Sequence, residues 1–230
     1  MIFDLHVHTS KGGTDSSLSI EELIEEAKRS GLDGVHLTEH AHRWEKGELE
    51  HIGRKNGIVL IGGMEISTNL GHIAVVGLDH YASGMHKTDK LRRVVEEIGG
   101  FAIALHPFRR HFDYPDPARV RQSNKSIEQL VAEEIVMLPV FDFVDEVEVL
   151  NGACNELENS LAFEVARRLG MKGTGGSDAH SRDGIGYCVT VFEKDVQTKD
   201  ELIQELKAGR FYPARRAGWD NGRPIWERTA

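Results

Sequence analysis

The chain has 230 residues, 40% of them hydrophobic and 28% charged, and its formal net charge is -9 at pH 7. This composition is typical of a globular protein and excludes a fibrous or disordered chain, and the length suits one domain with a single core. The negative charge disfavours a broad basic face, so we expect neither a membrane nor long nucleic acid as a partner. No apolar run reaches the roughly 18 residues of a membrane span. Because the segment MIFDLHVHTS is also unlike a signal peptide, we expect a cytoplasmic protein.

Strand and helix patterns alternate along the chain. Short apolar runs between turn residues predict strands, and capping boxes that open at Ser19, Ser126 and Thr198 predict helix starts. In chain order we predict a strand at 2–7, a helix from 19 to 30, a strand at 34–38 and a polar helix at 41–55. A strand at 58–65 then turns back as a hairpin into 72–78, and a helix at 91–98, a strand at 101–105 and a helix from 126 follow. The last predicted elements are strands at 144–150 and 172–175 around a helix at 156–169, a strand at 187–192 and a helix from 198 to 208. Such alternation favours parallel βα units.

Two segments do not follow this pattern. Residues 109–125 combine four arginines with two prolines, which makes them too irregular for a helix and long for a connection, so we predict a lid over an active site. Residues 213–230 are polar and punctuated by glycine and proline, and we predict a tail that wraps the surface or frays.

Histidine and carboxylate side chains concentrate where predicted strands end. His6 and His8 are one residue apart and project from one face of a strand, as do Asp178 and His180. Further candidates close other predicted strands: His40, Glu65 and His106. In a parallel barrel these ends meet at one rim. Imidazoles with a few carboxylates suit Zn, Mn or Fe, and their number exceeds the ligands of one ion, so we expect two or three divalent metal ions.

The segments DLHVHTS, LTEH, GGMEIS, ALHPF and GSDAH, in this order, resemble the successive motifs of the polymerase and histidinol phosphatase (PHP) family. The resemblance implies an α/β fold, a distorted (β/α)7 TIM-like barrel, as a single PHP-type domain over residues 1–230. It implies, motif by motif, these metal ligands: His6, His8, Asp15, His40, Glu65, His72, His106, Asp178 and His180. Where the family usually has Thr-Asp-His, this chain has Thr38-Glu39-His40, and we expect Glu39 to orient a ligand from behind.

The same resemblance implies a metal-dependent phosphoesterase. In the expected reaction, a water that bridges the metal ions, with its pKa lowered toward about 7, attacks phosphorus as hydroxide. We expect a small phosphorylated substrate, namely a phosphomonoester such as histidinol phosphate, another sugar or amino-alcohol phosphate, or a nucleotide phosphate, with a short oligonucleotide end left open. Three divalent ions would outweigh three ligand carboxylates, so the loaded site would attract phosphate although the chain is acidic.

Three further residues are candidates for substrate chemistry. Arg109 and Arg182 each lie just after a predicted ligand, and a guanidinium could clamp the phosphate. His42 could give a proton to the leaving alcohol. His36 lies deeper in its strand, and we expect it to be packed and hydrogen-bonded rather than a ligand.

Two other functions remain open on the sequence. Amidohydrolases also begin with H-x-H on the first strand, although the pair of Asp178 and His180 is not their usual ending. Some PHP barrels serve as structural metal-binding modules without activity, and the complete ligand set of this chain argues against that alternative.

Overall fold

The computed structural model describes residues 1–41, 44–110 and 138–228. Ten strands form one sheet in the order β10-β9-β8-β1-β2-β3-β4-β5-β6-β7. The strands are β1 (Ile2–Val7), β2 (Gly34–Glu39), β3 (Val59–Thr68), β4 (Gly71–Val76), β5 (Phe101–Ala104), β6 (Glu146–Asn151), β7 (Thr174–Gly176), β8 (Cys188–Phe192), β9 (Phe211–Asp220) and β10 (Arg223–Arg228). The helices among the described residues are α1 (Ile20–Arg29), α2 (Glu48–Asn56), α3 (Thr88–Glu97), α4 (Glu156–Leu169) and α5 (Lys199–Ala208), with short 3-10 turns at Pro139–Asp142 and Arg182–Gly184.

Most helices lie where the sequence predicts them. The capping boxes at Ser19 and Thr198 both form, with reciprocal hydrogen bonds between the cap residue and the glutamate three positions later. α4 has the predicted bounds, whereas α2 begins later than predicted because the left-handed Gly47 directly precedes it. The predicted helix from residue 126 lies outside the described residues, as does the predicted lid beyond Arg110.

Strand directions in the sheet are mixed. β1, β2 and β3 run parallel, as do β5, β6 and β7, but β4 is antiparallel to both β3 and β5. The predicted hairpin is therefore confirmed, whereas the prediction of parallel βα units along the whole chain is wrong. The tight turn before Gly71 reverses the chain where a parallel pair would need a long crossover. The fold is mixed α/β with a curled ten-stranded sheet.

The curl brings the chain after β7 back to β1. The N–H of Asp178 donates to the carbonyl of His6 (2.7 Å), and the N–H of His8 donates to the carbonyl of Ala179 (3.0 Å). Val7 and Ala179 form a parallel bridge. Asp4 strengthens this junction, because its buried carboxylate accepts N–H groups of Ser177 and Gly186. The ends of β1 and β7 consequently lie side by side.

The C-terminal strands extend the sheet beyond β1, on the side of β1 opposite β2. β8 is antiparallel to β1, and β9 and β10 form a hairpin over residues where the sequence suggested a surface tail. Asn221 and Gly222, both with positive φ, make its turn. The Asn-Gly pair was a hairpin signal in the sequence, but the polar, exposed character of β10 hid the strand pattern.

Apolar side chains fill the spaces between the sheet and the helices. Leu23, Ile24 and Ala27 of α1 pack with Val35 and Leu37 of β2 in one buried cluster. No helix in the described ranges combines the length and apolar character that crossing a bilayer requires.

Candidate metal centre

The structure gathers all nine predicted ligands into one network of contacts, where the strand ends meet. They come from β1 and the turns after it, from β3 and β4, and from the residues that follow β2, β5 and β7. The contacting residues are His6, His8, Asp15, His40, Glu65, His72, His106, Asp178 and His180. The convergence predicted from strand ends is what the structure shows.

Glu65 lies at the centre of this network, and only 2% of its side chain is exposed. One carboxylate oxygen is 3.1 Å from Nε2 of His6 and 3.0 Å from Nε2 of His8. The other contacts Nδ1 of His72 and lies 3.5 Å from Nε2 of His106. A carboxylate held between imidazole nitrogens on both oxygens is suited to bridge two cations.

Asp178 forms the second buried carboxylate of the centre. Its Oδ1 is 3.4 Å from Nε2 of His6 and 3.5 Å from Nε2 of His8. Its Oδ2 accepts a hydrogen bond from the guanidinium of Arg109. Asp178 has φ of 56° and His106 has φ of 29°, the left-handed region that non-glycine residues rarely occupy. Such backbone conformations concentrate at functional sites, where the surrounding structure holds them.

A more exposed part of the network surrounds Asp15. Its carboxylate lies 3.0 Å from Nε2 of His40 and 3.3 Å from Nε2 of His180. The side chains of these three residues are 42%, 34% and 33% exposed. The rings of His40 and His180 stack on His8, with centroids 4.7 and 4.5 Å away. We call His6, Glu65, His106 and Asp178 the inner group, and Asp15, His40 and His180 the outer group.

The donors fit divalent metal ions. Three sets of side chains offer ligand atoms that all lie within 4.8 Å of one another: His8, His40 and His180; His6, His8 and Asp178; and His6, Glu65 and His106. Imidazole nitrogen with carboxylate oxygen is the donor mixture that Zn, Mn and Fe accept. Because His6 and His8 each belong to two sets, the three sets share donors and adjoin one another.

The buried charged groups of the centre shift one another's pKa values. Burial by itself would lower the pKa of His6, but Glu148 and Asp178 raise it well above its ordinary value. Burial would raise the pKa of Glu65 and Asp178, and the surrounding imidazoles lower both instead. Divalent ions compete with protons for the same imidazole nitrogens, so metal binding must release protons.

The other predicted residues are placed as follows. Arg109 contacts the centre through Asp178, whereas the guanidinium of Arg182 pairs with Glu25 on α1 at 3.1 Å. The substrate role of each arginine stays a prediction. His42 lies outside the described residues. His36 is packed, as expected: it is fully buried and its Nδ1–H donates to the carbonyl of Leu5.

Glu39 does not orient a metal ligand through any described contact. Its buried carboxylate accepts the backbone N–H and hydroxyl of Thr9 and the indole N–H of Trp44. It therefore fixes the chain that follows His8 and not an imidazole ring, and the expectation from its place beside His40 is wrong.

Sequence reasoning assigned no role in the centre to Glu148. Glu148, on β6, is 2% exposed and accepts a hydrogen bond from Nδ1 of His6 at 2.9 Å. Asn151 donates to Glu148 and lies 3.4 Å from Asp178. The available signal was a glutamate inside the apolar run that forms β6, because a buried carboxylate requires partners.

Two family profiles and one relative match parts of this sequence. The sequence profile of the PHP domain matches residues 4–140, and a PHP-associated profile matches residues 156–211. An uncharacterized protein of Methanocaldococcus jannaschii is 28% identical over 115 residues, which cover 46% of this chain and 67% of that protein.

Several solved structures share the fold. PsfC from Pseudomonas syringae has a TM-score of 0.61 at 21% identity, covering 94% of this chain and 91% of that one. A candidate metal-dependent phosphoesterase from Bifidobacterium adolescentis has a TM-score of 0.57 at 17% identity, covering 90% and 95%. An amidohydrolase from Chromobacterium violaceum, solved with sulfate and without metal, has a TM-score of 0.54 at 16% identity, covering 91% and 96%.

At these sequence identities the solved structures show only a shared fold. The assignment of the family rests on the sequence profile. That profile spans more than half of the chain and includes seven of the nine predicted ligands, from His6 to His106. The chain belongs to the PHP family.

Proposed function

We propose that this protein is a metal-dependent phosphoesterase that hydrolyses a small phosphomonoester on a distorted (β/α)7 barrel forming a single domain. The observation that carries the proposal is the set of overlapping donor groups at one mouth of the sheet, with an arginine beside them. Shared ligands between neighbouring cation positions are typical of centres that hold both the attacking and the leaving oxygen of a phosphoryl transfer.

The inner group, His8 and the outer group would hold two or three ions of zinc, manganese or iron, with His72 completing the set beside Glu65. When bound, such ions supply an activated water and positive charge for the phosphoryl oxygens. Glu65 and Asp178 would keep neighbouring cations together, because each already contacts more than one imidazole.

Arg109 has two tasks in this proposal. It holds Oδ2 of Asp178, which leaves Oδ1 directed at His6 and His8. It also lines a cleft beside the centre, where its remaining N–H groups could bind a phosphate oxygen in the two-pronged manner of guanidinium groups.

The cleft next to the centre suits the alcohol part of the ester. His72, His106 and Arg109 line one end, and the rest of the wall carries Arg110 and apolar side chains. The apolar members of the wall include Leu70, Leu105, Leu138 and Val140. A leaving group with an apolar portion would bury surface there, while its phosphate faced the ligands.

Purified protein stripped of metal and reloaded separately with Zn, Mn or Fe provides the test, with a panel of phosphomonoesters, phosphodiesters and amides as substrates. We expect metal-dependent hydrolysis of at least one phosphomonoester, and loss of that activity in His8→Ala. The matched control is His51→Ala, which removes an exposed histidine of α2 that is not among the predicted ligands.

Three outcomes would contradict the proposal. Hydrolysis of amides with inert phosphate esters would indicate an amidohydrolase. Metal binding without any turnover would indicate a structural metal-binding module. Full activity in His8→Ala would mean that the assigned centre is not the active site.

A further inference from the structure

We propose that Glu148 is a positioning residue that fixes how the centre binds metal, by setting the proton position on His6 and the backbone of His106 with one carboxylate. The inference rests on the metal centre of the proposed function but not on its reaction. Glu148 lies on β6, outside the predicted ligand set, and is 2% exposed.

The first arm of the argument concerns the imidazole of His6. Oε1 of Glu148 accepts a hydrogen bond from Nδ1 of His6 at 2.9 Å. An ionised carboxylate only accepts, so Nδ1 must carry the proton. Nε2 of His6, which lies 3.1 Å from Glu65 and 3.4 Å from Asp178, is then the nitrogen that would give up its proton and offer a lone pair when a cation binds.

The second arm concerns the backbone of His106. Oε2 of Glu148 accepts the N–H of His106 at 2.9 Å, and Nδ2 of Asn151 donates to the same oxygen at 2.9 Å. His106 has φ of 29°, a conformation that needs support. Glu148 therefore ties a ligand side chain from β1 to a ligand backbone at the end of β5.

The surroundings of Glu148 leave room for this arrangement. A Cβ atom at Gly176 would lie 2.4 Å from Cβ of His6 and 2.8 Å from Oε1 of Glu148. Only the absence of a side chain there lets His6 and Glu148 approach each other. His8 contrasts with this arrangement, because its buried Nδ1 has no hydrogen-bond partner within the described residues.

The inference makes a selective prediction, because His6 belongs to only some of the donor sets. The sets of His6, His8 and Asp178 and of His6, Glu65 and His106 depend on Glu148. The remaining set is His8, His40 and His180, and Glu148 contacts none of its members in any described hydrogen bond. A change at Glu148 should weaken two positions and leave the third.

Glu148→Gln tests this selectivity. A glutamine places an NH2 group where one carboxylate oxygen was, so it cannot accept from both His6 and His106. If the NH2 group of the glutamine faces His6, Nδ1 must accept a hydrogen bond, and the ring must then carry its proton on Nε2, toward the centre. We expect zinc affinity at the two dependent positions to fall by roughly 10–100-fold, with the third unchanged.

Glu146→Gln is the matched control, two residues earlier on the same strand. Glu146 is also a buried glutamate, but within the described ranges its carboxylate accepts backbone N–H groups only, those of Val147, Lys172 and Gly173. Zinc is titrated into both variants and the unaltered full-length protein, all metal-free, in competition with a chromophoric chelator. We expect Glu146→Gln to bind zinc as the unaltered protein does.

A second measurement needs no variant. Long-range 15N–1H spectra of the zinc-loaded protein report which ring nitrogen of His6 carries the proton, and we expect Nδ1. Unchanged zinc binding in Glu148→Gln, equal weakening in Glu146→Gln, or a proton on Nε2 of His6 would each overturn the inference. If Glu148→Gln does not fold, the spectra decide. Lack of phosphoesterase activity with these zinc results intact would overturn the proposed function alone.

Discussion

The inner and outer groups of the centre use the same residue types in different surroundings. His6, Glu65 and Asp178 of the inner group have side chains exposed by 2% or less, whereas Asp15 and His40 of the outer group are exposed by 42% and 34%. The inner group is also held by the side chains of Glu148 and Arg109, whereas in the outer group Nδ1 of His180 donates to the backbone carbonyl of Asp178 at 2.9 Å.

This difference separates two tasks within one cluster. Buried carboxylates with fixed hydrogen bonds can hold cations in a set geometry, because their orientation costs no further reorganisation. Exposed imidazoles can admit water and substrate. We expect the inner group to determine whether metal binds, and the outer group to determine how the bound metal meets solvent and substrate.

The largest effect should follow from breaking the inner group at its middle. Glu65→Gln removes the charge that faces five imidazoles and should lower kcat/KM by about 1,000-fold, equivalent to ~4 kcal/mol of transition-state stabilisation. Metal content measured on the same sample should fall. Activity within tenfold of the unaltered protein would show that Glu65 does not bridge cations.

The second largest effect should come from His36, a buried histidine that no described contact pairs with a carboxylate. Burial lowers the pKa of His36 to about 4, while carboxylates raise that of the equally buried His6. As pH falls below about 6.5, the unfolded chain therefore takes up a proton that folded His36 refuses, and stability is lost.

His36→Asn measures that loss, because Asn can keep the hydrogen bond to the carbonyl of Leu5 but does not titrate. Between pH 7.5 and pH 5, urea denaturation of the metal-free protein should show the unaltered chain losing ~2 kcal/mol more stability than the variant. Parallel pH profiles for the two proteins would contradict the assignment of a neutral buried His36.

The smallest effect should come from the outer group. Asp15→Asn keeps the size of the side chain but removes its charge beside His40 and His180. Because solvent screens this exposed site, we expect kcat/KM to fall by about tenfold, with the inner ions retained. Zinc stoichiometry distinguishes the two groups. Loss of all bound zinc would mean that the outer group is no less essential than the inner one.

The sequence identified nine side chains that the structure brings together, because their signals are local. The spacing of His6 and His8 fixes their common face, and motif order places Glu65 and Asp178 at strand ends. Glu148 escaped prediction because two glutamates alternate with valines at the start of β6, and this pattern does not show which of them lies beside the centre. Its partners His6 and His106 also lie more than 40 positions away in the chain.

Strand direction was less accessible than strand position. The antiparallel placement of β4 follows from a turn at Gly71, but its pairing with β5 is a long-range choice that periodicity does not encode. Arg182 illustrates the same limit for the site. Its position after His180 suggested a phosphate clamp, yet the 3-10 turn that contains it directs the guanidinium to Glu25 on α1.

The central claim is that residues distant in sequence hold a single polynuclear metal centre. Anomalous diffraction at the zinc or manganese edge, from crystals of the metal-loaded protein, tests it most directly. We predict two or three anomalous peaks about 3.5–4 Å apart, in contact with Glu65 and Asp178. A single isolated peak, or peaks away from these carboxylates, would contradict it.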